Sequence, residues 1–351
     1  FLPYSLAQEE FNPKSVDSIT LRIVQRGTLS VDGVIDKANL SLYVPQEGVQ
    51  DLSVSSNAQM GWKYETDTFG NRIIVIEWAK PSGVVNYQID TLVKNTAKFV
   101  DPTSDIGYDA RYLNQTSTIL ITDDIRRLAY PYERTWENVA RLTEMVYDLI
   151  DYDISVVGQR QSSQWALENR RGVCVEHANL LAALLRASGI PTRYVVGYAY
   201  STVDNKLIGH TWVEVLGTDG RWVPFDPTWL EGGYLDATHI KTANLVDGSQ
   251  IDVLSYIGPG RITWKRGDSS SADIYSDALE IVDYTSRNIT QIGLVASPQV
   301  RLGGYGYVRA IVRSNACVIN QITANSCVDS NENPAIEIYE KERKFFSCVS
   351  K

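Results

Sequence analysis

Reactive side chains are scarce in this chain: 351 residues include four cysteines and three histidines. Cys174 lies in RRGVCVEHANLLAALLRASGIPTR (170–193), two residues after Gly172 and at the front of an apolar helical run. Unpaired N–H groups and the positive end of the helix dipole favour thiolate over thiol there, so the position suits a nucleophile. His177, three residues on, shares its helix face. A base on the same turn is poorly placed to protonate a leaving group across the substrate, so His177 reads as a structural histidine. No second Cys/His pair with metal spacing follows and HExxH is absent, so no metal is expected.

A better base comes from GHTWVEVLGTDGRWVPFDPTW (209–229), which reads as a β-hairpin. Thr218-Asp219-Gly220 suits a three-residue loop whose last residue is a left-handed glycine. That loop pairs Gly217 with Arg221 and Trp212 with Asp226. His210, Trp212 and Glu214 then share one face with Trp222, Pro224 and Asp226, while Val213, Val215, Val223 and Phe225 gather on the other. A two-residue Asp-Gly loop would mix polar and apolar side chains on both faces, and a sheet with one buried face selects against that. In the favoured register His210 and Asp226 are diagonal cross-strand neighbours, roughly 7–8 Å apart at the backbone. An imidazole held by a carboxylate is fixed in one tautomer and stabilised when it takes a proton. Aimed at a helix-terminal thiol, it would activate cysteine for acyl transfer.

Helices must carry the thiol and strands the base. Thr122 caps a short helix with Ile125 and Leu128, and Thr135 starts a longer one with Val139, Leu142, Val146 and Leu149 in a helical stripe. A third helix covers SSQWALEN (162–169), and the helix after Cys174 stops at Gly189 with Pro191 beyond. Strands return in RYVVGYAY (193–200), HTWVEVL (210–216) and RWVPFD (221–226). Helices first and strands after imply an α+β core on an antiparallel sheet, over 101–264. Residues 8–100 alternate in short strands and read as a β-sandwich, and 265–351 read as a second one.

These residues resemble the transglutaminase-like superfamily, relatives of papain-type cysteine proteases, and in particular its prokaryotic branch. The resemblance rests on RRGVCVEHANLLAALLRASGIPTRYVVGYAY, GHTWVEV and GRWVPFDPTW, supported by YLNQTSTILITDD (112–124) and YLDATHIK (234–241). It covers about 110–245 and implies a papain/transglutaminase-like fold with Cys174 as nucleophile, His210 as base and Asp226 as orienter. It implies a thioester on Cys174 from a carboxamide or peptide carbonyl, the oxyanion held by the Cys174 N–H and one side-chain donor. Gln161, Gln164 and Trp165 are the donor candidates, and Trp212 and Trp222 are candidates to wall the cleft. The substrate would be a protein or peptide, with hydrolysis favoured over cross-linking to an amine. No cofactor is expected, and the sequence is silent on calcium.

The totals exclude other classes. A net charge of −9 without a long basic run argues against nucleic acid and against a polybasic membrane anchor. No apolar stretch approaches a membrane span, so anchoring would need segments outside this chain. GGYGYV (303–308) lacks the third glycine and following helix of a phosphate loop, and GxSxG is absent. Residues 1–7, FLPYSLA, read as the end of a signal peptide, and Cys317, Cys327 and Cys348 cluster near the end. With sequons at Asn39, Asn114 and Asn288, these features point to an extracellular or cell-surface protein. The rival to the enzyme is a surface binding module whose domain of this type is idle.

Overall fold

The computed structural model describes residues 11–100, 102, 104–248, 252–267, 278–286, 291–296, 305–313, 336–337 and 347–349. The signal-like residues 1–7, the sequon at Asn288, Cys317 and Cys327 lie outside these.

Strand β1 (Val16–Asp32) is 17 residues long and organises the N-terminal part. It is followed by β2 (Lys37–Tyr43), β3 (Val49–Ser56), β4 (Met60–Thr66), β5 (Arg72–Ala79) and β6 (Gly83–Thr96). β6 pairs with β1 from Ser18–Thr96 to Val31–Gly83, and β3 pairs with β6. A second sheet places β5 between β2 and β4. The alternation read from the sequence has its reason here: Leu40, Leu42, Ile74, Ile76 and Trp78 of one sheet pack against Leu29, Val85, Tyr87 and Ile89 of the other.

After β7 (Lys98–Phe99) the chain enters its helical layer. Helix α1 (Asp123–Ala129) is capped by Thr122 and α2 (Trp136–Leu149) by Thr135, each hydroxyl accepting a backbone N–H. Strand β8 (Asp151–Tyr152), helix α3 (Ser163–Asn169), strand β9 (Arg171–Gly172) and helix α4 (Cys174–Ala187) follow. α4 is buried nearly all round, and Gly189, at φ +73°, ends it. Arg186 near that end is buried, and its guanidinium donates to the carbonyls of Thr192, Asn114 and Val246.

The core sheet uses β10 (Thr192–Ser201), β11 (Lys206–Leu216), β12 (Trp222–Asp226), β13 (Glu231–Gly232), β14 (Tyr234–Leu235) and β15 (Ile240–Leu245). Its order is β13-β12-β11-β10-β15, while β14 pairs with β7. The hairpin has the expected register, Leu216–Trp222 through Val213–Phe225, closed by Gly217 N to Arg221 O at 2.8 Å with Gly220 at φ +80°. Val213, Val215, Val223 and Phe225 pack with Ala178, Leu181 and Leu185 in the helix-side core. Helices packed on an antiparallel sheet, flanked by β-rich parts, are the expected fold class.

The strands do not divide at 264, where the sequence suggested the core would end. β16 (Val253–Ile257) pairs with β2, and β17 (Arg261–Arg266) pairs with β1. β18 (Ala278–Ser286), expected in the C-terminal sandwich, pairs with the first half of β1. β1 has two edges; β6 takes one, and β18 and β17 share the other end to end. The core is thus an insertion between strands of one sandwich. Ile19, Leu21, Ile23 and Val93 of that sandwich pack on Tyr198, Tyr200, Leu207 and Ile240 of the core. Farther on, β19 (Gln291–Ala296), β20 (Tyr305–Arg313), β21 (Ile336–Glu337) and β22 (Ser347–Val349) form one sheet among the described residues.

Candidate active site

The start of α4 is built by Glu176. Its carboxylate accepts the N–H of Val173 at 2.9 Å and of Gln161 at 2.9 Å, tying the N-cap and the preceding loop together. Gly172 makes room for it. Cys174 is therefore the first helical residue; it is 7% exposed, and the backbone N–H groups of Val175 and of Thr211 on β11 act on its sulfur in favour of thiolate. The Thr211 contact brings the thiol to the strand residue next to His210.

His210 and Asp226 meet as the hairpin register requires. His210 Nε2 lies 2.8 Å from Asp226 Oδ2, both fully buried, and His210 Nδ1 has no hydrogen-bond partner among the described residues. The other carboxylate oxygen, Oδ1, accepts the N–H of Thr228 at 2.7 Å. Trp229 stacks flat on the His210 imidazole, ring centres 3.9 Å apart, and the Trp212 ring lies 6.1 Å from the same imidazole at an interplanar angle of 25°. The indoles and the carboxylate fix the ring plane, leaving Nδ1 as its open acceptor.

Two expectations about histidine and thiol chemistry now have physical answers. His177 sets Nδ1 on Val173 O at 2.8 Å and Nε2 on Ile150 O at 3.2 Å, and burial lowers its pKa. Both ring nitrogens serve the backbone. The thiol, expected to be shifted towards thiolate, is pushed up to about 12 by burial, with Glu176 and Asp226 acting the same way. The N–H donors of Thr211 and Val175 oppose this without reversing it. A desolvated sulfur between carboxylates keeps its proton at rest.

The oxyanion and cleft candidates separate. Gln161 runs beside the first turn of α4, its carbonyl accepting Asn179 Nδ2 at 2.9 Å, while its side chain donates to Gln159. Gln164 faces α1 and its own helix, bonded to Thr122, Asp124 and Glu168. Trp165 lies under the Arg171 guanidinium at 5.8 Å. Trp212 is at the site. Trp222 is not: it sits at the turn end of the hairpin, covered by Arg193 at 4.1 Å and edge-on to Tyr112 at 5.1 Å. Arg193 is held there by its cross-strand partner Glu214, at 2.7 Å, which also pairs with Lys241 at 2.5 Å.

The sequence reading did not single out His239, Asp236, Glu231 or Trp229. His239 Nε2 lies 3.3 Å from Asp226 Oδ2, and its Nδ1 lies 3.2 Å from Asp236 Oδ1 with Glu231 Oε2 at 3.9 Å. The available signal was YLDATHIK itself, which carries the third histidine three residues after an aspartate. Asp226 is held far below the usual carboxylate range: burial would raise it, and the two imidazoles outweigh burial. Burial lowers His210, which Asp226 opposes; His239, against the same burial, is raised well above an ordinary histidine by Asp236, Asp226 and Glu231. His210, Asp226 and His239, and likewise Glu231, Asp236 and His239, gather three donor atoms within 4.8 Å. Their mutual distances of 2.8 to 3.3 Å at Asp226 Oδ2 are those of N–H donated to carboxylate.

Residues 122–227 match the family model described as the Transglutaminase-like superfamily. An uncharacterised protein of Mycobacterium leprae is 36% identical over 86 residues, 22% of this chain and 30% of that protein. The protein-glutamine gamma-glutamyltransferase of Pseudomonas aeruginosa is 36% identical over 70 residues, 18% of this chain and 10% of that protein. The chain thus spans under a third of either relative's length. A solved structure from Cytophaga hutchinsonii, described as a candidate cysteine protease, is similar over 76% of this chain and 98% of its own, with TM-score 0.51 and 18% identity. That likeness is one of fold. Residues 122–227 are thus the part of this chain that is similar to the Transglutaminase-like superfamily.

Proposed function

We propose that the chain is a cysteine-dependent acyltransferase acting on protein or peptide carbonyls, with Cys174 as nucleophile, His210 as base and Asp226 as its orienter. The observation that carries this is the imidazole of His210, held by Asp226 through Nε2 and by Trp229 across its face, with Nδ1 unpartnered. The backbone N–H that acts on the Cys174 sulfur from β11 belongs to Thr211, one residue along the same strand. Because the resting pair is thiol and imidazole, the proton moves from sulfur to Nδ1 as sulfur attacks the carbonyl carbon. The oxyanion forms at the helix start, where the Cys174 N–H is unsatisfied by the helix itself. The amine leaves with the proton from Nδ1, giving the thioester; the acceptor then gives a proton to His210 as it takes the acyl group, the C–S bond breaks, and the sulfur takes that proton back.

Water is the acceptor we favour, making a protease or deamidase. The name of the Pseudomonas relative favours an amine, making an isopeptide cross-link. Work outside the cytoplasm is part of the same proposal; among the described residues no helix is long and apolar enough to cross a membrane. Incubating the protein with a protein mixture and a labelled primary amine, read by mass spectrometry, decides the reaction. New termini mean protease, a gain of about one dalton means deamidase, and label on glutamine means cross-linking. No thioester and no product from any of these overturns the proposal.

A further inference from the structure

We propose that His239 is a positioning residue: clamped as an imidazolium between Asp226 and Asp236, it fixes the carboxylate that orients His210 and keeps His210 the neutral base. This rests on the acyl-transfer reading above.

An ionised carboxylate only accepts, and a neutral imidazole has one N–H to give. His239 sets both ring nitrogens against carboxylate oxygens, Nε2 at 3.3 Å from Asp226 Oδ2 and Nδ1 at 3.2 Å from Asp236 Oδ1. Satisfying both needs two N–H groups, and here the acceptors are two negative carboxylates, where the neutral carbonyls facing His177 supply no charge to hold a cation against burial. His210 is in the opposite position, with one nitrogen on Asp226 and the other unpartnered. Asp226 Oδ2 is therefore shared between a charged and an uncharged ring.

The clamp is rigid. Asp236 Oδ1 also accepts Thr238 N at 2.8 Å, and Glu231 Oε2 accepts Asp236 N at 3.0 Å, so the turn carrying His239 is bonded back on β13. His239, Asp226, Asp236, Glu231 and His210 are all nearly or fully buried. Facing His239 are Asp226 from β12, Glu231 from β13 with Lys14 behind it at 3.6 Å, Asp236 from its own turn, and His210 from β11. Cys174 and His177 of α4 and Tyr152 of β8 also interact electrostatically with Asp226, and Glu176 of α4 acts on Cys174. The His239 and His210 ring centres are 5.5 Å apart, and like charges at that distance in a buried site repel strongly. A cation fixed at His239 disfavours a second on His210 at rest, which is what a base awaiting a proton requires. It also keeps Asp226 ionised through the cycle.

The chain has three histidines, so the charge states can be read directly from the full chain labelled with ¹⁵N-histidine. At pH 7.5 one ring shows two protonated nitrogens and two rings are neutral, and His239→Gln removes the charged one. Three neutral rings, or a charged ring that survives His239→Gln, overturn the proposal. In His239→Gln and His239→Phe the midpoint of His210 titration rises by roughly one to two pH units. The acid limb of Cys174 alkylation by iodoacetamide rises with it. A lower rate with an unmoved midpoint makes His239 merely structural. A Cys174 that resists alkylation at every pH sinks the acyl-transfer reading alone, since the ring charges are read without it. Loss of fold in both variants leaves the wild-type ring charges to decide.

Discussion

A Cβ placed on Gly172 would fall 2.3 Å from Cβ of Glu176 and 2.7 Å from its Cγ. Gly172 and Glu176 are thus one device: glycine admits the carboxylate that holds the N-terminus of α4, and that terminus carries Cys174. Gly172→Ala must displace the stem of Glu176, fixed at one end by the α4 backbone and at the other by the carboxylate's two hydrogen bonds, or the β9 backbone itself. A loss of about 1–3 kcal/mol is expected, read as a lower denaturant midpoint. Cys174 alkylation should slow in the same variant, because the thiol loses its fixed place against Thr211.

His210 and His177 should part company in a reactivity assay. His210→Asn and Asp226→Asn should slow Cys174 alkylation by about two to four orders of magnitude, the usual worth of a positioned base. His177→Gln loses contacts with the carbonyls of Val173 or Ile150 and should cost roughly 1–2 kcal/mol of stability. Its alkylation rate should stay within a few-fold of wild type. An equal collapse of rate in His177→Gln would return the base role to the helix.

Glu214 predicts an acid-sensitive element of stability. Burial would raise its pKa, but Lys241 and Arg193 outweigh burial and lower it from 4.5. Glu214→Gln leaves those two cations without their carboxylate and should cost about 3–5 kcal/mol at pH 7. A carboxyl depressed on folding stabilises fully above its unfolded pKa and loses that contribution as pH falls through the folded value. The gap between wild type and Glu214→Gln should therefore be constant above pH 4.5 and narrow below it, in urea titrations at each pH.

Arg186 should resist conservative replacement. Its guanidinium reaches three carbonyls from three segments, at 2.8 Å from Asn114 and Thr192 and 2.5 Å from Val246. An ammonium cannot span that fork, so Arg186→Lys should cost about 2–3 kcal/mol. Thermal melting of the variant gives the test. Burial lowers the Arg186 pKa to about 10, so it remains a cation at neutral pH.

The sequence by itself determined what is local. Thr122 and Thr135 announce helix starts because a hydroxyl must cap free N–H groups, and Gly189 announces an end because φ there is positive. The hairpin register, and with it the meeting of His210 and Asp226, follows from Gly220 and from the segregation of Val213, Val215, Val223 and Phe225. Only the tertiary structure decided what depends on partners far along the chain. Strand periodicity does not name a strand's neighbour, so β16, β17 and β18 read as core or C-terminal until β1 and β2 claim them. A face shared along a hairpin does not say which end of it meets the helix, so Trp222 looked equivalent to Trp212. Nor could the helix position of Cys174 reveal that burial would outweigh the dipole, since burial is set by everything that closes over the sulfur. His239 belongs to the same class: its spacing makes it a turn histidine, and the closing of β12 and β13 onto that turn brings its ring to Asp226.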